Sequence, residues 1–139
     1  MALSGDAWVL DEAEVWGKAR VHGKALVFDK ARVYGDASVS GEATVSGIAW
    51  VFERANVADF ARVTDRAHVR RDARVDGLAW VSGNAQVYGN ARIFENASVS
   101  GNVWVFGSAR VHGTACLDDG RVDKDDPYCC TLSKGSIIS

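Results

Sequence analysis

An all-β solenoid, a chain wound into successive coils of short parallel strands, is the fold class that the sequence predicts, on the strength of three regularities. Alanine occupies position 7 and every sixth position to 115, with Val103 the one exception among nineteen sites. Two residues after each of these sites stands a branched aliphatic, valine throughout except for Ile93 and Leu117. Two residues before, glycine fills twelve of the nineteen sites, and Asp11, Asp29, Glu53, Asp59, Asp65, Arg71 and Glu95 fill the others. No insertion breaks the count across 1–118, and a period this strict outranks local propensity because it decides what each segment can pair with.

The unit Gly-x-Ala-x-Val-x dictates its own elements. Alternation over Ala-x-Val puts both apolar side chains on one face of a short strand and turns the residue between them outward. The next x-Gly-x has to turn the chain, and glycine accepts the φ > 0 conformation that such a corner needs. Three-residue strands joined by like corners cannot form hairpins, which would demand a different turn at alternate corners. Identical corners make a coil, and alanine with valine fills a narrow tube.

The doubled segment "SGNAQVYGNARIF", Ser82 to Phe94, shows the unit at its most regular. This spacing closely resembles the hexapeptide-repeat left-handed β-helix family, and within it the stand-alone YdcK-like bacterial and phage repeat proteins. The acyltransferase branch of that family usually places its glycine or acidic residue directly after the aliphatic, one position earlier than here. The resemblance implies a single-stranded left-handed parallel β-helix of triangular section, with three hexapeptides per coil and about six coils. With strands ~4.8 Å apart, such a prism is roughly 30 Å long. Residues 1–118 are expected to form the solenoid, starting with a bare N-terminal end, and 119–139, where the register breaks, a short irregular C-terminal cap or tail. Exposed strand edges at the ends of a solenoid call for such caps.

Composition narrows the function classes. Sixteen basic against eighteen acidic side chains give a net charge of −2, so no overall field draws the protein to nucleic acid or an anionic membrane. The first residues lack the basic start and apolar run of a signal peptide, and no stretch approaches the ~18 apolar residues of a membrane span. The expectation is a protein made in the cytoplasm, and the YdcK-like resemblance implies as an alternative a component of a phage or secreted assembly that uses no signal peptide. Three cysteines, Cys116, Cys129 and Cys130, are odd in number and late in the chain, which fits a reducing compartment better than a disulfide framework.

If every third hexapeptide shares a face, the outward residues fall into vertical columns, and specificity resides there. The position after valine gives Trp16, Tyr34, Phe52, Arg70, Tyr88 and Phe106, five aromatics and one arginine. Stacked rings stabilise adjacent coils, and a row of rings is also a common surface for sugars or protein partners. The strand midpoints of the next face carry Arg20, Ser38, Asn56, Arg74, Arg92 and Arg110, a basic stripe that could hold an anionic polymer. Asp36, Asp72 and Asp76 on the same face argue for an ordinary solvated surface. The remaining face presents Trp8, Leu26, Phe60, Leu78 and Trp80, with Leu10 and Phe28 at its corner, and outward apolar residues on that scale tend to be covered. Trp50 and Trp104 form a second apolar candidate.

Searches for catalytic chemistry return little. The transferase relatives generally use a histidine near a subunit junction, often beside a protruding loop, and this chain has His22, His68 and His112 without an interrupting loop. The carbonic anhydrase relatives need three converging histidines, whereas His22 and His112 share a column roughly 24 Å apart. The acidic run from Asp118 to Asp126 lacks the spacing of a calcium loop, and Cys129-Cys130 matches no zinc motif. The sequence therefore predicts a non-enzymatic structural scaffold without metal or cofactor, which self-associates as a homo-oligomer and presents a binding surface to a glycan or another protein. The alternatives are a module binding anionic polysaccharide or nucleic acid through the aromatic and arginine columns, and an acyltransferase-like enzyme with an inter-subunit site. The arginines that offset the acids on every face argue against a DNA mimic, and the net charge of −2 argues against nucleic acid as the partner.

Overall fold

The computed structural model describes residues 2–3, 5–123, 125–128 and 137–138. Those residues wind into a solenoid of about six turns, in which each hexapeptide contributes a strand such as Arg20–Val21, Leu26–Val27 or Arg32–Val33. Every third strand joins the same sheet, so the described strands form three parallel sheets. The first runs through Arg20–Val21, Ser38–Val39, Asn56–Val57, Arg74–Val75, Arg92–Ile93 and Arg110–Val111. The second runs through Trp8–Val9, Leu26–Val27, Thr44–Val45, Arg62–Val63, Trp80–Val81, Ser98–Val99 and Cys116–Leu117. The third holds Glu14–Val15, Arg32–Val33, Trp50–Val51, His68–Val69, Gln86–Val87 and Trp104–Val105. Pairs such as Trp8↔Leu26 and Arg20↔Ser38 give 18 residues per turn.

The period explains the core. From Ala19 to Leu117 every inward alanine and valine is at most 1% exposed, including Val103 in an alanine slot and Ile93 in a valine slot. Each fully buried valine stabilises the fold by roughly 1.5–3 kcal/mol, and alanine beside it keeps the tube narrow. Ala7, Val9, Ala13 and Val15 of the first coil pack against this core but are only partly buried.

The corners are alike whatever residue occupies them. Most close with the alanine N–H donating to the carbonyl three residues earlier, as from Ala13 to Leu10 at 3.2 Å and from Ala85 to Ser82 at 3.3 Å. All nineteen residues at the glycine position have φ between 58° and 71°, the seven non-glycine ones lying at 58–60°. At four of the seven a carboxylate offsets the strain of a side chain there with an added hydrogen bond. Asp29, Asp59, Asp65 and Glu95 each accept the backbone N–H of the corner glycine one coil on, at Gly47, Gly77, Gly83 and Gly113, over 3.0–3.1 Å. Where glycine stands, the next coil approaches closely: a Cβ on Gly83 would lie 2.7 Å from the Gly101 nitrogen.

Beyond residue 118 the coil continues with altered spacing. Arg121–Val122 pairs with Trp104–Val105, 17 residues back, and Val122 is 2% exposed in the core. Asp125–Tyr128 then adjoins Arg110–Val111, with the register shifting between Arg110 and Val111, and Ile137–Ile138 pairs with Arg121–Val122. Cys129 and Cys130 lie outside the described residues.

Candidate functional site

The outward columns expected from the period are present, and the geometry separates them. In the aromatic column Trp16 stacks on Tyr34 with ring centroids 4.4 Å apart and planes 1° from parallel. Tyr34 stacks in turn on Phe52 at 4.9 Å and 4°. Arg70 takes the next slot, its guanidinium carbon 4.3 Å from the centroid of the Tyr88 ring. Tyr88 stacks on Phe106 at 5.2 Å. Tyr34 therefore carries a ring against each of its faces. The strand spacing sets this contact, because parallel rings one coil apart fall within stacking distance.

The third sheet adds a second column at an angle to the first. Trp50 meets Tyr34 and Phe52 edge-on, at 72° and 75°, and stacks on His68 at 5.1 Å. Arg32 covers Trp50, with its guanidinium carbon 5.1 Å from the ring centroid, and pairs with Glu14 at 3.4 Å. Higher up, Trp104 meets Tyr88 at 74°, and Arg121 lies 5.1 Å from the Trp104 centroid. The result is a herringbone of rings, parallel within a column and crossed between columns. Burial beside these rings holds His68 below its ordinary histidine value, and the Arg70 charge adds to the effect. Burial likewise raises the Tyr34 phenol, with Arg32 opposing.

The basic column is narrower than its sequence listing. Arg20 is separated from Arg74 by Ser38 and Asn56, while Arg74, Arg92 and Arg110 are successive strand partners. Arg92 pairs with Asp76 at 3.4 Å and lies 4.5 Å from the Phe94 centroid, and Arg110 lies 5.7 Å from the same ring. Phe94 stacks on His112 at 5.1 Å. Sequence reading passed over Phe94, although it is one residue beyond Ile93 and one coil below His112, the position at which a stacking partner falls. Arg54 is tied to Asp72 through its Nε at 2.9 Å and its Nη2 at 3.0 Å.

On the second sheet the apolar residues remain outward. Phe60, Leu78 and Trp80 are 54%, 59% and 46% exposed and line a groove of about 440 Å³ with Glu42, Thr44 and Arg62. The Trp80 indole N–H donates to the Thr64 hydroxyl at 3.1 Å, and Arg62 lies 5.7 Å from the Trp80 ring. Trp8 is 58% and Leu10 40% exposed nearer the first coil, while Leu26 and Phe28 are half-buried.

The histidines do not converge. His22 lies 3.5 Å from the Ser38 hydroxyl, His68 stacks on Trp50, and His112 stacks on Phe94. Among the described residues no three His, Cys, Asp or Glu side chains are grouped to hold a metal ion. Cys116 is a free, exposed thiol. No helix among the described residues is long and apolar enough to cross a membrane.

Parallel strands of one hexapeptide each, stacked in three sheets over an alanine and valine core, define a β-solenoid repeat protein. A family model described as YdcK Beta solenoid repeat matches residues 85–101, which include the second half of the doubled segment. No curated protein matches the chain.

Proposed function

We propose that the protein is a non-enzymatic structural solenoid, a stiff three-faced rod that associates with copies of itself and holds its remaining columns outward for a partner. One observation carries this reading: Phe60, Leu78 and Trp80 stand 46–59% exposed around a single groove, although the core is complete without them. Clustered apolar surface of that kind is normally covered, and a rod with a preformed flat face loses little conformational entropy on covering it. The engaged positions of His68 and His112 support a structural rather than a catalytic role for the stacked columns.

Light scattering and sedimentation over a range of concentrations test this. The parent chain should form an oligomer that dissociates on dilution, and Leu78→Asp should shift it to monomer while its far-UV circular dichroism stays that of the parent. A parent chain that remains monomeric at every concentration overturns the proposal.

The adjacency of Arg74, Arg92 and Arg110 in neighbouring strands favours a second reading, in which that stripe holds an anionic chain such as an acidic polysaccharide. The Asp76 contact to Arg92 weakens it, since Arg92 already has a counter-charge.

A further inference from the structure

Building on the self-association reading, we infer that the second-sheet face pairs with a second copy of the chain in antiparallel fashion, about a two-fold axis passing between the Arg62 and Trp80 strands. The argument is self-complementarity, the condition that any two-fold interface must satisfy.

Two columns form the face. One is the strand midpoints Thr44, Arg62, Trp80 and Ser98, successive strand partners. The other is the corner residues Glu42, Phe60, Leu78 and Asn96, whose backbones follow the same rows. An in-plane two-fold axis perpendicular to the rod leaves each column facing itself and inverts the order of rows. With the axis between the two central rows, Phe60 meets Leu78 of the partner subunit, and Arg62 meets Trp80 of the partner subunit. The first contact is apolar. The second places a guanidinium against an indole, the pairing that Arg62 and Trp80 already make within one chain at 5.7 Å.

The outer rows match as well. Glu42 falls opposite Asn96 of the partner subunit, where the amide can donate to the carboxylate, and Thr44 falls opposite Ser98 of the partner subunit. The acids at the adjoining corner are also matched, since Asp59 faces a glycine, Gly77 of the partner subunit, and Glu95 faces Gly41 of the partner subunit. No like charges meet in these rows. An axis parallel to the rod gives poorer rows near the first coils, where it sets Leu26 against the ammonium of Lys24 and Trp8 against the carboxylate of Asp6.

Facing sheets lie ~10 Å apart, too far for a disulfide but within reach of a short bismaleimide. The test uses the full chain carrying Cys116→Ser, Cys129→Ser and Cys130→Ser, with either Thr44→Cys or Ser98→Cys added. Each variant alone should fail to cross-link, because its thiol and that of its copy are three rows apart, and an equimolar mixture of the two should yield covalent dimer. Cross-linking of Thr44→Cys alone, or an oligomer by light scattering that cross-links in neither sample nor their mixture, overturns the antiparallel arrangement while leaving self-association standing. A monomer at every concentration overturns both.

Discussion

The guanidinium of Arg70 lies 4.3 Å from the ring centroid of Tyr88, in a column whose other slots, from Trp16 to Phe106, hold aromatic rings. A planar cation of similar thickness thus takes the place of a ring between two stacked segments, Trp16-Tyr34-Phe52 below and Tyr88-Phe106 above.

Removing a ring from the middle of the column should cost more than removing one from its end. Tyr34→Ala loses stacking on both faces, at ~0.5–1.5 kcal/mol for each pair beyond the burial of the ring itself. Phe106→Ala has one such ring to lose. Arg70→Phe should extend the stack and raise stability by up to ~1 kcal/mol. Thermal and denaturant unfolding would check the order, and an equal cost for Tyr34→Ala and Phe106→Ala would contradict it.

The corners give an opposite pair of expectations. Gly83→Ala puts a Cβ at φ 64° and 2.7 Å from the next coil, so it should lose at least the ~1–2 kcal/mol of the left-handed conformation. Asp65→Gly relieves the same strain one coil earlier but gives up the 3.0 Å bond to the Gly83 N–H, and should be nearly neutral. Asp65→Ala keeps the strain without the bond and should be the worst of the Asp65 variants, by ~1 kcal/mol or more.

His68 makes stability depend on pH. Its folded value is lowered, chiefly by burial and secondarily by Arg70, so the unfolded chain takes up a proton first as the pH falls. Stability should be constant above the ordinary histidine value of about 6.5, and should decline as the pH drops from there to the lower folded value. His68→Gln should flatten that slope. Melting temperatures measured between pH 7.5 and pH 5 for the two proteins would show it, and parallel curves would remove His68 as the source.

The arginine stripe separates the two readings of the surface. If it binds an anionic chain, Arg74→Ala should shorten retention on a sulfated-polysaccharide column and flatten its salt dependence, with no change in melting temperature. Identical retention of parent and variant would leave the stripe as a solvated face.

Nearly all of the fold was legible because the core has only two kinds of slot. Alanine at 7, 13 and onward and valine two residues later demand a coil, and with the three hexapeptides per coil that the family resemblance implies the strand partners follow by counting. The corners were legible as glycine-like, but the acids among them were not legible as bonded to the next coil. That bond depends on a carboxylate reaching along the rod from Asp29 to Gly47, a vertical relation which the hexapeptide period alone does not express. The columns were legible as lists of residues, whereas the crossing of Trp50 with Tyr34 and Phe52 depends on ring tilt, which spacing does not encode. The entry of Val122 into the core escaped notice because the turn before it is one residue shorter than the others.

Two different periods coexist in this chain, six residues for the inside and eighteen for the outside. Inserting one hexapeptide midway would leave every later alanine and valine in the tube, yet would rotate every later outward residue onto the next face. The arginines would then run on above Trp8 and Leu26 on the second sheet, and the apolar face would be cut in two. Length can therefore drift in steps of a strand as far as folding is concerned, but only in steps of a whole coil if the surface is to keep its meaning.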